Sequence, residues 1–398
     1  MNIVIFTHPE FLGSLSMPKF ANMIAEGMRS EGHQVSVWQV KPRCYNLPFL
    51  RKGKKWLGYL DQYVLFPLEV KKRLKACPAD TLFVFTDHAL GPWIPLVKGR
   101  PHVVHCHDFL AQQSSVGEIA ENPVSLTGRL YQSYIRQGYR QAENFISVSY
   151  KTREDLHRSL SVQPKLSEVV YNGLGESYFP RNSFQSRSAF GRRVGLNLSA
   201  GYILHVGGNQ WYKNRTGVIE IYNAWRAFTK QPLLLLLIGR APSVNILNSW
   251  SRSAYKNDIH ILPDISDEFI PVAYSGSTVL LYPSLAEGFG WPIAEAMASG
   301  TLVITTDEAP MTEVAGDAAF LIPRKPRGMQ AAREWATDAA GTLDRVVSFS
   351  DGERQLLVSR GISASSKFGM VNAIGEVCSI YTRIVEKFHI KCGFCCTK

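Results

Sequence analysis

At 398 residues, 45% hydrophobic and 19% charged, the chain has the composition of a globular protein and the length of two ordinary domains, each with its own core. The longest aliphatic run, Leu233 to Ile238, is far too short to span a bilayer, and Asn2-Ile-Val-Ile-Phe-Thr reads as a strand rather than a secretory leader. Lys and Arg number 44 against 33 Asp and Glu, a formal charge of +11 that asks for an acidic partner: nucleic acid, anionic lipid or an anionic substrate. The 7 cysteines are too scattered for a disulfide framework, so a reducing, cytoplasmic setting is expected.

In chain order, Ile3 to Phe6 is the first predicted strand. A loop carrying Gly13 follows, then a helix after Pro18 with Phe20, Ile24, Ala25 and Met28 on one face. His33 to Trp38 is the second strand. This is a βαβ unit of a parallel sheet, with Gly13 in the loop where such sheets bind ligands. Residues 41–75 form a basic insertion. Its Lys and Arg, among them Arg51, Lys52, Lys54, Lys55, Lys71 and Lys72, face only Asp61 and Glu69. Trp56, Tyr59, Leu60 and Tyr63 are interleaved with them. Basic residues beside aromatic and aliphatic ones suit an anionic membrane surface; a solvated basic face is the alternative.

Strand Thr81 to Phe85 comes next, then Val103-Val-His-Cys-His-Asp, which puts His107 and Asp108 at a strand's C-terminal end. His105-x-His107 has no recognisable third ligand, so no metal is expected there. A helix spans Leu126 to Tyr139, a strand Asn144 to Val148, a helix Thr152 to Leu160 and a strand Glu168 to Tyr171. The first domain is therefore expected to cover 1–180. Residues 181–199, rich in Ser, Arg and Gly, read as a linker.

The second domain, 200–370, opens with strand Tyr202 to Val206 and Gly207-Gly208-Asn-Gln-Trp-Tyr-Lys213-Asn-Arg215 before a helix. Glycines permit close approach of the backbone to a ligand, and Lys213 and Arg215 add charge at a helix entry, which suits a diphosphate. Strand Thr278 to Leu281 then runs into Glu287-Gly288-Phe289-Gly290-Trp-Pro292-Ile-Ala-Glu295. Pro292 opens a helix that stops at Gly300. The amides of Gly288, Phe289 and Gly290 form an anion site flanked by two carboxylates that can accept hydrogen bonds from sugar hydroxyls. Residues 371–398 are a long amphipathic helix and a cysteine-bearing tail.

Glu287 and Glu295, with seven residues between them around this glycine turn, resemble the signature of family 4 of the retaining glycosyltransferases. Thr301-Leu-Val-Ile-Thr, Thr312-Glu-Val-Ala-Gly-Asp, Gly32-His33-Gln-Val and Asn172-Gly173 extend the resemblance over nearly the whole chain. It implies the GT-B fold: α/β, two doubly wound Rossmann-like domains facing across a cleft, with the last helix crossing back onto the first. It implies transfer of a hexose, mannose first, from a GDP- or UDP-sugar to a glycan or lipid-linked acceptor in cell-surface polysaccharide biosynthesis, with retention and without metal or other cofactor. Glu287, His107 and Lys213 would then be catalytic. Glu295, Gly288, Phe289, Gly290, Gly13, Arg215 and Gly208 would bind the donor. Gly208 stands where the family usually has an Arg, and Arg215 is the candidate to replace it. Two alternatives stay open: a GT-B epimerase or phosphorylase, and a basic nucleic-acid or membrane-binding module without catalysis. No nucleic-acid motif is recognisable, so nucleic acid is not expected as a partner.

Overall fold

A computed structural model describes residues 1–13, 16–47 and 53–392. Ser14, Arg51, Lys52 and the tail cysteines Cys395 and Cys396 lie outside them. The chain divides into two compact units, Met1–Tyr171 with Val371–Lys398, and Asn172–Met370.

The first unit is built on β1 (Asn2–Phe6), β2 (Gln34–Trp38), β3 (Leu82–Phe85), β4 (His102–Cys106), β5 (Asn144–Ser147) and β6 (Leu166–Val169), all parallel, in the order β2-β1-β3-β4-β5-β6. Helices cover both faces of such a sheet, so central strands are apolar throughout, as Leu82-Phe-Val-Phe is. The helices are α1 (Ser16–Ser30), α2 (Lys54–Leu60), α3 (Phe66–Leu74), α4 (Leu110–Val116), α5 (Leu126–Tyr139) and α6 (Tyr150–Ser159). The core is aromatic: Phe6 stacks on Phe85 at 4.7 Å and meets Trp38 edge-on at 5.5 Å.

Within the basic insertion, residues 54–74 are a continuous helical run. A π-helical stretch, Asp61–Leu65, joins α2 to α3. Asp61 is buried, and its carboxylate accepts the amides of Cys44 and Tyr45 at 2.9 Å each. The Trp93 indole donates to the Gln62 carbonyl at 2.9 Å. α5 crosses the 3-10 segment His88–Val97 where Gly138 meets Gly91. A Cβ on Gly138 would fall 2.1 Å from the Gly91 carbonyl oxygen, so only glycine permits that approach.

The second unit corrects the expectation of a linker at 181–199. Residues Ser183–Val194 form α7, started by Asn182, whose side chain accepts the Gln185 amide at 3.0 Å, and anchored by the fully buried Phe190. The second sheet contains β7 (Tyr202–Val206), β8 (Leu234–Gly239), β9 (Ile259–Pro263), β10 (Val279–Tyr282), β11 (Leu302–Thr306) and β12 (Phe320–Ile322), again all parallel, in the order β12-β11-β10-β7-β8-β9. Its helices are α8 (Arg215–Arg226), α9 (Val244–Ser251), α10 (Ile270–Gly276), α11 (Trp291–Ala298), α12 (Met311–Ala315), α13 (Met329–Val347) and α14 (Asp351–Ser365). The two α/β sheets are the Rossmann-like halves of a GT-B fold. No helix among the described residues is long and apolar enough to cross a membrane.

The last helix, α15 (Met370–Cys392), belongs to the first unit from Val371 on. Tyr381 is fully buried there, with its hydroxyl 2.7 Å from His105 Nε2. His105 is thus a packing residue. Burial, with His107 nearby, pushes its pKa down to about 3, so it folds neutral. The unfolded chain takes up the proton first. The stability His105 contributes is present above its ordinary value of 6.5 and is lost as pH falls towards 3, by about 2 kcal/mol at pH 5. In denaturant titrations at pH 7 and pH 5, a His105→Gln variant should therefore lose about 2 kcal/mol less than the wild type between the two pH values. Equal losses would contradict this.

Candidate active site

The candidate site grows from three adjacent strands of the second sheet. β10, β7 and β8 lie side by side, and their C-terminal ends feed the loops that carry Glu287, Lys213 and Arg240. The β7 and β8 loops meet backbone to backbone, and Asn209 Nδ2 of the first donates to the Ala241 carbonyl of the second at 2.6 Å. Gly239 has φ 154°, and a Cβ there would lie 2.0 Å from the Gly207 carbonyl oxygen.

The β7 and β10 loops are stitched together as well. Leu285 N donates to the Tyr212 carbonyl at 2.7 Å, and the Ser284 hydroxyl lies 2.8 Å from the same oxygen. Asn214, in the left-handed region at φ 49°, caps α8 by accepting the Gly217 amide at 3.2 Å and donates Nδ2 to the Pro283 carbonyl at 2.9 Å. These bonds fix Lys213 over Glu287.

Lys213 Nζ sits 2.8 and 2.9 Å from the two Glu287 carboxylate oxygens. Tyr282 accepts from Lys213 Nζ at 2.6 Å and donates to Glu287 Oε1 at 2.6 Å, and the Ser284 hydroxyl is 2.5 Å from that oxygen. The Lys213 and Glu287 side chains are only 16% and 7% exposed, so each charge depends on the other. Tyr282, Ser284 and Asn214 are site residues the sequence reading missed. The motif's spacing marks the charged pair but not the hydroxyls and amide that hold it.

Glu295 lies one turn into α11. Tyr274 donates to its Oε2 at 2.8 Å, and Tyr178 adds a second hydrogen bond. Burial raises the Glu295 carboxyl above the usual range, although the two tyrosines and Lys213 pull the other way. Gly290 has φ 102° at the entry to α11. The Phe289 ring is buried edge-on against Phe368 at 5.3 Å, so Phe289 presents its backbone to the loop while its side chain anchors it. At Gly208 a Cβ would come 2.3 Å from the Gln210 side-chain oxygen.

Arg215 is buried beneath the glycine loop. Its Nη1 donates to Asn209 Oδ1 at 2.7 Å and to the Arg240 carbonyl at 3.2 Å. Its Nε and Nη2 are buried without a hydrogen-bond partner among the described residues. Arg215 therefore braces the β7 and β8 loops from below. His205, fully buried in β7, donates Nδ1–H to the Leu281 carbonyl at 3.0 Å and stacks on Tyr282 at 5.7 Å. Its pKa is pushed down to about 3, chiefly by burial, so it packs beneath the Lys213 network as a neutral ring.

Gly13 and His107 belong to the first unit. Gly13 ends a 3-10 turn with φ 69°. His107 lies just past β4, with Nε2 2.9 Å from the Thr86 carbonyl and its ring edge-on to Phe20 at 4.4 Å. A carbonyl only accepts, so Nε2 carries the proton. Burial keeps the ring neutral and leaves Nδ1 as an acceptor. The same sheet end carries a cluster the sequence reading missed. Asp87, just past β3, accepts the Ala89 amide at 3.1 Å and lies 2.9 Å from His8 Nε2 and 2.9 Å from His88 Nδ1. Burial opposes ionisation of Asp87, yet the two histidines outweigh it and hold the carboxyl well below its usual range. The position of His8 and Asp87 just past strand ends was the available signal. Among the described residues, no three His, Cys, Asp or Glu side chains converge on a point that could hold a metal.

Two parallel α/β sheets with functional groups at their strand ends, one of them holding a Lys–Glu pair beside a glycine turn, define the class as GT-B glycosyltransferase. Family comparison agrees. Residues 200–338 match the model for glycosyl transferases group 1, and residues 18–176 match that for glycosyltransferase family 4. The chain belongs to the group 1 glycosyltransferases. Among curated relatives, it is 28% identical over 257 residues to an O-antigen chain mannosyltransferase B of Escherichia coli, covering 64% of each chain. It is 24% identical over 231 residues to the O-antigen chain mannosyltransferase RfbU of Salmonella typhimurium, covering 58% of each. The match thus spans less than two thirds of the length of these relatives. Among solved structures, Anabaena HepE in complex with UDP and glucose superposes with a TM-score of 0.69 at 15% identity, over 96% of this chain and 100% of that one.

The Lys213–Glu287 geometry yields a stability prediction. Lys213→Met leaves a buried carboxylate without its cation and should cost roughly 2–4 kcal/mol in denaturant unfolding. The double variant Lys213→Met/Glu287→Gln should recover most of that loss. Additive losses would show that the two charges are not coupled.

Proposed function

We propose that the chain transfers a hexose, with mannose from GDP-mannose the first candidate, from a nucleotide-diphosphate sugar to a glycan or lipid-linked acceptor in cell-surface polysaccharide biosynthesis. The observation that carries this reading is the Lys213–Glu287–Tyr282 network at the C-terminal ends of β7 and β10, inside a match to the group 1 family. Both O-antigen relatives are mannosyltransferases, which supports mannose.

On this reading the donor diphosphate lies against the glycine turn and takes Lys213 as its counter-ion. Glu287, released from Lys213, accepts hydroxyls of the hexose and faces the positive charge that develops at the anomeric carbon. Glu295, aligned by Tyr274 and Tyr178, accepts the ribose hydroxyls. Arg215 supports the loop that receives the diphosphate. His107, in the first unit, offers Nδ1 as a hydrogen-bond acceptor to a substrate hydroxyl. Transfer is retaining: the bond from the anomeric carbon to the phosphate oxygen breaks, and the acceptor oxygen bonds to the same face. The acceptor's proton passes to the departing diphosphate. Lys213 and the loop amides stabilise the leaving charge, so the reaction is metal-independent. The basic segment 41–75 holds the enzyme at an anionic membrane surface on the cytoplasmic side, where a lipid-linked acceptor resides.

The test is an assay with GDP- and UDP-hexoses and lipid-linked acceptors, with product analysis. Acceptor-dependent release of one nucleoside diphosphate should persist in EDTA. Glu295→Ala should weaken donor binding at least about tenfold, or roughly 1.4 kcal/mol. Loss of activity in EDTA that Mg²⁺ restores would overturn the metal-free step. Epimerised sugar or sugar phosphate formed without acceptor would overturn transfer.

A further inference from the structure

The strongest unassigned feature of the first unit is an exposed apolar ridge made by two helices distant in sequence. Trp56 in α2 is 70% exposed, and Leu68 in α3 is 60% exposed. Leu60 and Val64 are exposed between them, so apolar residues recur every fourth position through α2, the π stretch and α3. Four residues slightly overshoot a turn of α-helix and fall short of a turn of π-helix, so the drift cancels and these side chains stay on one side. α5 supplies a parallel row at the same interval, Leu126 at 76% and Leu130 at 72% exposure. Solvent-exposed apolar residues grouped in this way mark an interaction surface, unlike single scattered ones.

A tyrosine seam joins the two rows. Tyr59 stacks on Tyr131 at 5.4 Å, Tyr63 meets Tyr134 at 5.6 Å, and the Tyr63 and Tyr131 hydroxyls are 2.6 Å apart. The Gly91–Gly138 approach fixes α5 against the domain beneath. The ridge is therefore rigid and composite.

Charge identifies what covers it. Lys54 and Lys55 precede Trp56, and Lys71, Lys72 and Lys75 follow Leu68; all five are exposed. The segment's two carboxylates are used internally. Asp61 is buried on the amides of Cys44 and Tyr45, and Glu69 pairs with Arg43 and Arg73. An apolar ridge bordered by cations that no local carboxylate neutralises complements an anionic lipid surface, whose acyl region takes the apolar side chains and whose headgroups take the lysines.

We infer that the α2–α3 and α5 ridge inserts Trp56, Leu60, Val64, Leu68, Leu126 and Leu130 into the interface of an anionic bilayer. This rests on the proposed role of the basic segment and adds a second segment, α5, and penetration beyond charge attraction. The experiment is co-sedimentation of the full chain with phosphatidylcholine vesicles, with and without phosphatidylglycerol, at low and high salt. It is paired with quenching of tryptophan emission by brominated lipids in the wild type and in Trp56→Phe. The wild type should bind the anionic vesicles, and bromine quenching should shrink in Trp56→Phe. Leu126→Ser/Leu130→Ser should fold as the wild type does and bind at least tenfold more weakly. Wild-type binding by that variant, with the same quenching in Trp56→Phe, would overturn insertion and leave an electrostatic contact. No binding of the wild type at low salt would overturn both membrane readings without touching sugar transfer. Loss of a dimer in the leucine variant, with vesicle binding intact, would assign the ridge to a second copy of the chain and overturn the inference.

Discussion

One interaction organises the second domain's site: a lysine and a glutamate with little access to water, each the other's counter-ion. Neither charge is stable there alone, because desolvation costs several kcal/mol per ion unless a partner and further hydrogen bonds offset it. Tyr282 and Ser284 supply those bonds on the glutamate side. The stitching of Tyr212 and Asn214 to Pro283, Ser284 and Leu285 keeps the lysine in reach. On the proposed reading, the free pair is a placeholder for the substrate. A diphosphate takes the lysine's charge and a sugar takes the carboxylate's acceptors, so donor binding exchanges partners without exposing either group.

The sheets make this arrangement possible. Parallel strands deliver all their outgoing loops to one edge, and the order β10-β7-β8 places the three loops that matter beside one another. Glycine at 239 lets the β8 loop approach the Gly207 backbone, and buried Arg215 supports both loops from below. In the first unit the same edge carries His107 and the His8–Asp87–His88 cluster, so both sheets concentrate their polar chemistry at strand ends.

Much of this was legible in the sequence. Buried parallel strands write themselves as short apolar runs such as Leu233 to Ile238, and Glu287 to Glu295 shows its turn, helix start and carboxylates directly. What could not be read depended on contacts far apart in the chain. Ser, Arg and Gly made 183–194 look like a linker, yet an Asn182 cap and the burial of Phe190 against a domain core make it a helix. Composition suggested a surface role for 41–75 but gave no sign that Leu126 and Leu130 would complete its apolar face, because tyrosines some seventy residues apart join the two rows. Arg215 was visible as a charge. Its direction, set by Asn209 and the Arg240 carbonyl, was not.

The exchange of partners at Lys213 is the centre of this account, and calorimetric binding of GDP and UDP in EDTA to the wild type and to Glu287→Gln tests it most directly. If Lys213 leaves Glu287 to meet the diphosphate, removing the carboxylate's charge frees the lysine in advance. The variant should then bind the preferred nucleotide about fivefold tighter or more, roughly 1 kcal/mol, although it transfers no sugar. Unchanged or weaker nucleotide binding by Glu287→Gln would contradict the exchange and return the Lys213–Glu287 pair to a purely structural role.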